Sequence, residues 1–386
     1  MPNTAFYDVR GRGFPRRAPL ADGWDWIGRR VAPPAASILP VAECGGLRLA
    51  DAVTALGGWP PADRAAVDGY AVAAADTLGA GSYNPVPLTA AVAVSAGDFL
   101  PPGCDAVIPY EAAQATGPVI EAIDAVAPGS GVERQGAWTA AGTPLLPVGR
   151  RLRPGDLGLL AAVGHETLSV LPAPRVRIVI AGGPKAGAPE QVAAMLVALV
   201  RRDGGHVETV ETVPADQDAL AQACARPGAA LILSVGRTGT GPDDVAASAL
   251  AQAGSVDLHG IAMRPGGSAG LGIAGNVPIL LLPGEPMAAL AAYELLAGRA
   301  VRRAAGLPAD LPHATVLAVT ARKLVSEIGC LDLHRVRLDG DGRVEPVASP
   351  GWPGLAAAAR ADGFVLIGAE SEGVPDGVPV TMYRFD

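Results

Sequence analysis

Aromatic residues make up only 4% of this 386-residue chain, although 49% of it is apolar. Its cores must therefore be built from Ala, Val and Leu, which helices tolerate because Ala and Leu have the best helix propensities. Cysteine is scarce as well. Cys44, Cys104, Cys224 and Cys330 stand apart with no C-x-x-C pair, which argues against a zinc site or a disulfide framework and suits a reducing cytosol. Long apolar runs are missing, for the most apolar stretch, Val277–Leu282, is far shorter than the roughly 20 residues that span a bilayer. No apolar stretch follows the arginines of Met1–Leu20, so no signal peptide is expected there. The net charge is −8 and no Lys/Arg-rich tract is present, which excludes a nucleic-acid backbone as partner. A small anionic ligand remains compatible, since backbone N–H groups and one or two arginines hold such a group locally. The expectation is a cytoplasmic protein of several domains, since this length exceeds what one core usually supports.

The first forty residues are rich in Arg, Gly and Pro with little periodicity, and read as partly disordered. Leu47, Leu49, Val53 and Leu56 suggest a short helix over 46–56, ended by Pro60 and Pro61. Residues 70–135 alternate in short runs punctuated by Gly and Pro, as a β-rich lobe would. A helix is expected over 153–163. From Arg175 strands alternate with amphipathic helices: strands at 175–180, 206–213, 229–235, 256–263 and 278–282, and helices from 189, over 216–225, over 243–253 and from 287 to about 305. That alternation predicts a parallel, doubly wound sheet. After Pro308 short strands return, at 314–319, 333–338, 363–367 and 378–383.

In such sheets ligands bind beyond the carboxyl ends of the strands, and three loops fall there. The first follows the strand 229–235, whose Ser234 is a further ligand-binding candidate, and runs Gly236-Arg237-Thr238-Gly239-Thr240-Gly241-Pro242-Asp243-Asp244. Its glycines let the backbone approach a ligand, and its hydroxyls and N–H groups suit a phosphate. Asp243 and Asp244 suit a divalent cation beside that phosphate, or Asp243 is simply a helix N-cap. The second loop is Arg264-Pro265-Gly266-Gly267-Ser268, with Arg264 either an anion clamp or a solvated side chain. The third is Pro283-Gly284-Glu285-Pro286, either a ligand loop or a strand-to-helix turn. Gly266–Gly270 also matches the G-x-S-x-G nucleophile elbow, but extended chain rather than a helix follows it, so a hydrolase is disfavoured. The dinucleotide G-x-G-x-x-G, the Walker A sequence and H-E-x-x-H are absent.

At these loops the sequence resembles the MoeA/gephyrin E-domain family of molybdopterin molybdenumtransferases. Residues 60–72 resemble the family's L-P-P-F-D-N-S-A-M-D-G-Y-A-V, and 100–108 its L-P-P-G-A-D-A-V-V. Residues 236–244 fall where the family has G-G-V-S-x-G-x-x-D, 259–266 match H-G-V-A-M-K-P-G, and 282–286 match L-P-G-N-P. The resemblance implies a homodimer of four-domain chains. Those domains are a linker domain (1–58 and 138–172), an inserted β-rich lobe (59–137), a MogA-like α/β molybdopterin-binding domain (173–307) and a C-terminal β-barrel-like domain (308–386). It further implies binding of adenylyl-molybdopterin and its cleavage to AMP and molybdenum cofactor in a step that uses molybdate and Mg²⁺, for delivery to a recipient molybdoenzyme. Asp68, Asp216 and Asp244 are the acids carried over as catalytic, with Asp243 and Asp244 as metal ligands. Asp216 also reads as a helix cap, and Asp68 is the strongest single candidate. The chain departs from the family at Gly183-Pro184, where an acid is replaced, at Gly267 in place of a Lys, and at Glu285 in place of an Asn. Two readings therefore stay open, an active transferase and a pterin-binding carrier or scaffold that has lost the chemistry.

Overall fold

The computed structural model describes residues 6–182, 189–347 and 354–385. The chain divides into two compact units, one of Ser37–Val170 and one of Met1–Ala36 with Leu171–Asp386.

The unit of Ser37–Val170 is built from short antiparallel pairs. Ser37–Pro40 lies against Thr167–Leu171, and Gly69–Val72 is flanked by Val92–Val94 and Ala106–Pro109. Leu49, Val53, Leu152, Leu160 and Val170 form one of its small cores. The helix expected over 46–56 is replaced by strand pairs Arg48–Leu49 and Val53–Thr54. Leu49 and Val53 are buried there, Val53–Thr54 pairs with Pro144–Leu146, and Gly46 has φ 79°. A spacing of four fits a helix face and a pair of buried strand positions alike, and tertiary pairing decided between them. The expected helix at 153–163 forms as Pro154–Ala162, with Pro154 at its first turn and its φ already set for the helix.

The larger unit opens with helix α1 (Leu20–Arg30), followed by strand β1 (Arg175–Gly182), helix α2 (Pro189–Arg202), β2 (His206–Pro214), α3 (Gln217–Ala225), β3 (Leu231–Val235), α4 (Ala246–Ala253), β4 (Ser255–His259), β5 (Gly270–Ala274) and β6 (Val277–Leu282). The sheet order is β2-β1-β3-β6-β5-β4. The first four are mutually parallel. β5 runs antiparallel to both of its neighbours, so the sheet is mixed rather than wholly parallel. The extended chain at Leu271–Ile273 is thus a full strand in an antiparallel edge. β3 and β6 are entirely apolar but for Ser234 and buried on both faces, as expected of central strands covered by helices on each side.

Helix α5 (Pro286–Ala292) follows β6 and continues through a π-turn at Tyr293–Ala297 into α6 (Gly298–Ala304). The last domain is a barrel of β7 (Thr315–Thr320), β8 (Leu331–Leu338), β9 (Arg343–Pro346), β10 (Gly363–Ile367) and β11 (Pro379–Arg384), in the order β8-β9-β7-β11-β10 and closed by β10 on β8. Closure removes the free strand edges.

Helix α1 did not show in the periodicity, because LADGWDWIGRR carries two glycines that weaken its propensity. Tertiary contacts hold it instead. Leu20, Trp26 and Ile27 are buried in the α/β core, the Trp26 indole N–H donates to Asp257 at 2.7 Å, and the Trp24 indole N–H to the Leu295 carbonyl at 2.8 Å. Residues up to Ala36 consequently group with the α/β and barrel domains.

Candidate functional site

The loop leaving β3 lies at the carboxyl edge of the sheet. Gly236 has φ 91° and Arg237 φ 56°, so the chain turns through the left-handed region at two successive residues. A non-glycine there costs about 1–2 kcal/mol and is typical of ligand-holding loops. Three carbonyls of this loop accept hydrogen bonds away from it or from the following helix: Arg237 O from Ala246 N at 2.9 Å, Thr238 O from His259 Nε2 at 2.9 Å, and Thr240 O from Gly11 N at 2.8 Å. Among the described residues, the N–H groups of Arg237, Thr238, Gly239 and Thr240 have no acceptor. Four consecutive N–H groups without an acceptor make up a backbone nest of the kind that can receive an anion.

Asp244 shapes that loop. Its Oδ2 accepts from Gly241 N at 2.7 Å, and a Cβ at Gly239 would stand 2.7 Å from the same oxygen. A side chain at 239 therefore displaces the carboxylate. Helix α4 begins at Ala246 with Val245 as its cap, and without a side-chain cap bond. Asp243 is thus not the N-cap, and the helix starts two residues later than an Asp243 cap would place it. Asp243 is exposed beside it. Ser234 is buried within β3, beside Cys224, whose thiol burial pushes up to about 11.

The other two loops converge here. Thr238 Oγ1 and Ser268 Oγ are 2.9 Å apart, which joins the nest to Pro265–Ser268. The Arg264–Pro265 bond is cis and Gly266 has φ 110°. The Arg264 guanidinium is fully engaged: Nε and Nη2 donate to Asp332 at 3.0 and 2.5 Å, and Nη1 lies 2.5 Å from Glu327. Arg264 therefore ties the loop to the barrel. The Cα of Gly236 would stand 3.1 Å from a Cβ on Gly284, and Gly236 N donates to Leu282 O, so Pro283-Gly284 and the nest touch backbone to backbone. Glu285 caps α5, accepting from Met287 N and Ala288 N at 3.0 and 2.7 Å, with Pro286 as the first helical residue.

Asp216 caps α3 at the same edge, its Oδ1 accepting from Ala219 N at 2.9 Å. Asp68 belongs to the other unit. It is exposed, and its Oδ1 accepts from Ala96 N at 2.8 Å. Gly69 beside it is required, since a Cβ there would fall 2.0 Å from the Ile108 carbonyl. The acid replaced at Gly183-Pro184 lies outside the described residues, and among the described residues no three His, Cys, Asp or Glu side chains group to hold a metal.

The arginine-rich segment before α1, expected to be partly disordered, makes defined contacts over Phe6–Ala18 and crosses these loops. Val9 is buried. Gly11 N reaches Thr240 O, the Phe14 ring meets the His259 imidazole edge-on at 5.0 Å, and Arg17 Nε donates to Gly267 O at 3.3 Å. Ala18 exchanges backbone bonds with Gly260 and Ala262. Its signal in the sequence was Phe6, Val9 and Phe14, three apolar residues too irregularly spaced to read as an element. Burial pushes the His259 imidazole below its ordinary value near 6.5.

A mixed α/β sheet with three loops converging at its carboxyl edge, carried in a chain with a β-rich unit and a closed barrel, defines the class: a multidomain protein whose α/β domain gathers its loops at that edge. Residues 19–164 match the family "MoeA N-terminal region (domain I and II)", and residues 162–303 match the family "Probable molybdopterin binding domain". The chain is 32% identical over 385 residues to molybdopterin molybdenumtransferase 2 of Mycobacterium tuberculosis, covering 89% of this chain and 94% of that protein. It is 26% identical to the molybdenumtransferase of Synechococcus elongatus over 89% and 93% of the two chains. The crystal structure of the molybdopterin biosynthesis MoeA protein of Pyrococcus horikoshii superposes with a TM-score of 0.74 at 26% identity, covering 96% of this chain and 100% of that one. The chain belongs to the molybdopterin molybdenumtransferase (MoeA) family of molybdenum cofactor biosynthesis, as a divergent member. Among the described residues no helix is long and apolar enough to cross a membrane.

Proposed function

We propose that this chain binds adenylyl-molybdopterin and inserts molybdate with release of AMP, the pterin phosphate lying in the nest at Arg237–Thr240. The observation that carries this reading is the row of four backbone donors without acceptors at the carboxyl edge of the sheet. Such donors are fixed before the ligand arrives, so they stabilise charge that builds on phosphoryl oxygens as the phosphoanhydride breaks, without reorganising. The Thr238–Ser268 hydroxyl pair orients the ligand from one side and Gly284 leaves room for its close approach.

The donor set also fits Mg²⁺. That ion is commonly held by one or two carboxylates together with ligand phosphates and water. Asp243 is exposed beside the nest, and Asp244 commits only Oδ2 to the loop. A bound ion would neutralise charge on the phosphoryl oxygens. Asp216 is placed at the same edge, and Asp68 is assigned to the reaction on the family resemblance, as are homodimer formation and a recipient molybdoenzyme. A carrier that binds the pterin but leaves the adenylate intact is the second reading, favoured by the clamp role that occupies Asp244. One experiment separates the two: single-turnover incubation with adenylyl-molybdopterin, molybdate and Mg²⁺, reading bound pterin and released AMP. Molybdate-dependent AMP supports the transferase. Bound pterin without AMP establishes the carrier, and no bound pterin overturns both.

A further inference from the structure

We propose that the segment Phe6–Ala18 is part of the ligand site, and that Arg17 binds the phosphate of the ligand held in the nest. This rests on the pterin-binding reading above and extends it to a stretch of chain outside the matched families, which begin at residue 19.

The segment is anchored on the site by four independent contacts. Phe6 packs against a core cluster of the α/β domain, Gly11 N donates to the carbonyl of nest residue Thr240, Phe14 packs on His259, which itself donates to Thr238 O, and Ala18 pairs with the chain at Gly260–Ala262. The segment thus engages the Thr240 carbonyl directly and the Thr238 carbonyl through His259. Arg17 is placed by the same strap. Its Nε donates to Gly267 O, and the nitrogen stands 3.1 Å from where a Cβ on Gly267 would be, so it fills the space that a side chain at 267 would need. Its guanidinium stacks over Phe14 at 5.1 Å. Arg264 spends every nitrogen on carboxylates. Among the described residues, neither Arg17 nor Arg16 on the same segment has an ion-pair partner, whereas the charge of Arg12 acts on Asp8. Arg16 also borders a cavity of about 210 Å³ that His259 lines. Two exposed guanidinium groups without an ion-pair partner, Arg16 and Arg17, beside the proposed nest in a chain of net charge −8 are an arrangement that serves an anion. Arg is the suitable residue, because its planar fork holds two phosphate oxygens at once.

The test titrates molybdopterin and, separately, inorganic pyrophosphate into the full-length protein, Arg17→Ala, Arg17→Lys and Arg30→Ala, at several salt concentrations. Arg30 is exposed in the last turn of α1 and controls for net charge. Arg17→Ala is expected to weaken binding by about tenfold or more, as for loss of a charged hydrogen bond, with Arg17→Lys between and Arg30→Ala near wild type. The salt dependence should also flatten in Arg17→Ala, a change that a merely structural role would not produce, and the melting temperature without ligand should hold. Wild-type affinity for molybdopterin in Arg17→Ala overturns the assignment while the pterin-binding reading stands. Arg17-dependent binding of pyrophosphate with no binding of molybdopterin keeps the strap as an anion site and overturns the pterin reading. Binding of neither probe by the wild type overturns both.

Discussion

Arg237 holds a backbone conformation that costs about 1–2 kcal/mol for a residue with a Cβ, at the first open donor of the nest. Replacing it with glycine removes that strain and also a guanidinium. Arg237→Gly should leave the unfolding free energy unchanged or raise it by up to about 1 kcal/mol, offset by the looser unfolded chain, while pterin affinity falls. Denaturant titration alongside ligand titration checks both, and equal losses in the two would mean the residue is structural. Gly239→Ala makes the converse case. Its Cβ would crowd Asp244 Oδ2 at 2.7 Å, so the loop must open and pterin binding should drop with a stability loss of about 1–2 kcal/mol, as for a lost buried hydrogen bond. His259 adds a pH signature. Its folded pKa is depressed by burial, so the folded state favours the neutral ring. The associated stability is present above pH 6.5 and is lost as pH falls from there through the depressed value. Unfolding free energies measured across that window should show the decline in the wild type and a flatter profile in His259→Gln.

Among the elements, the π-turn between α5 and α6 carries the most buried charge. Glu294, 1% exposed, sits 2.7 Å from Arg202 and 3.0 Å from His313, and Arg302 pairs with the buried Asp203 at 2.9 Å. A π-turn marks a place where the helix gives up regular geometry, usually for function, and here the irregular turn contains the carboxylate that joins α2, the helix and the strand-bearing barrel segment at His313. Burial works against the Glu294 charge, but hydrogen bonds from His313 and Arg202 outweigh it and hold the carboxyl below its ordinary range. Breaking a buried pair strands the partner charges, so Glu294→Ala should cost about 3–5 kcal/mol. Chemical denaturation measures it, and a loss under about 1 kcal/mol would show that water replaces the carboxylate freely. Since the folded pKa is lowered, the contribution is present above the ordinary glutamate value and lost as pH falls through the folded one.

For the whole molecule, a net charge of −8 repels an anionic ligand at long range, while the proposed site attracts it near Arg17, Arg237 and the nest. Near a Debye length of about 8 Å at physiological salt, the repulsion is largely screened and the contacts are not. Pterin association should therefore slow at very low ionic strength while the bound complex tightens. Stopped-flow binding at several salt concentrations reads both rates, and an association rate that rises steadily as salt is removed would contradict the local-site picture.

The sequence by itself determined most of the α/β domain, because Val176, Ile178 and Ile180 alternate as a strand, Val192, Leu196 and Val200 recur at helical spacing, and Leu231–Val235 is a short apolar run between them and the next helix. It determined the loops too, since the glycines of 236–241 and 266 fall at strand ends. Their roles were settled only by tertiary structure. That Asp244 clamps a loop, that Arg264 is neutralised by Asp332, that Glu285 is a helix cap, and that Asp68 holds Ala96 all depend on partners distant in sequence or on backbone direction. The same holds for the N-terminal segment. Its arginines and glycines carry no period, and the contacts that order it, to residues 240, 259, 260 and 267, lie more than 200 positions away. Local propensity is written in neighbouring residues, whereas a charge's partner is chosen by how the whole chain folds.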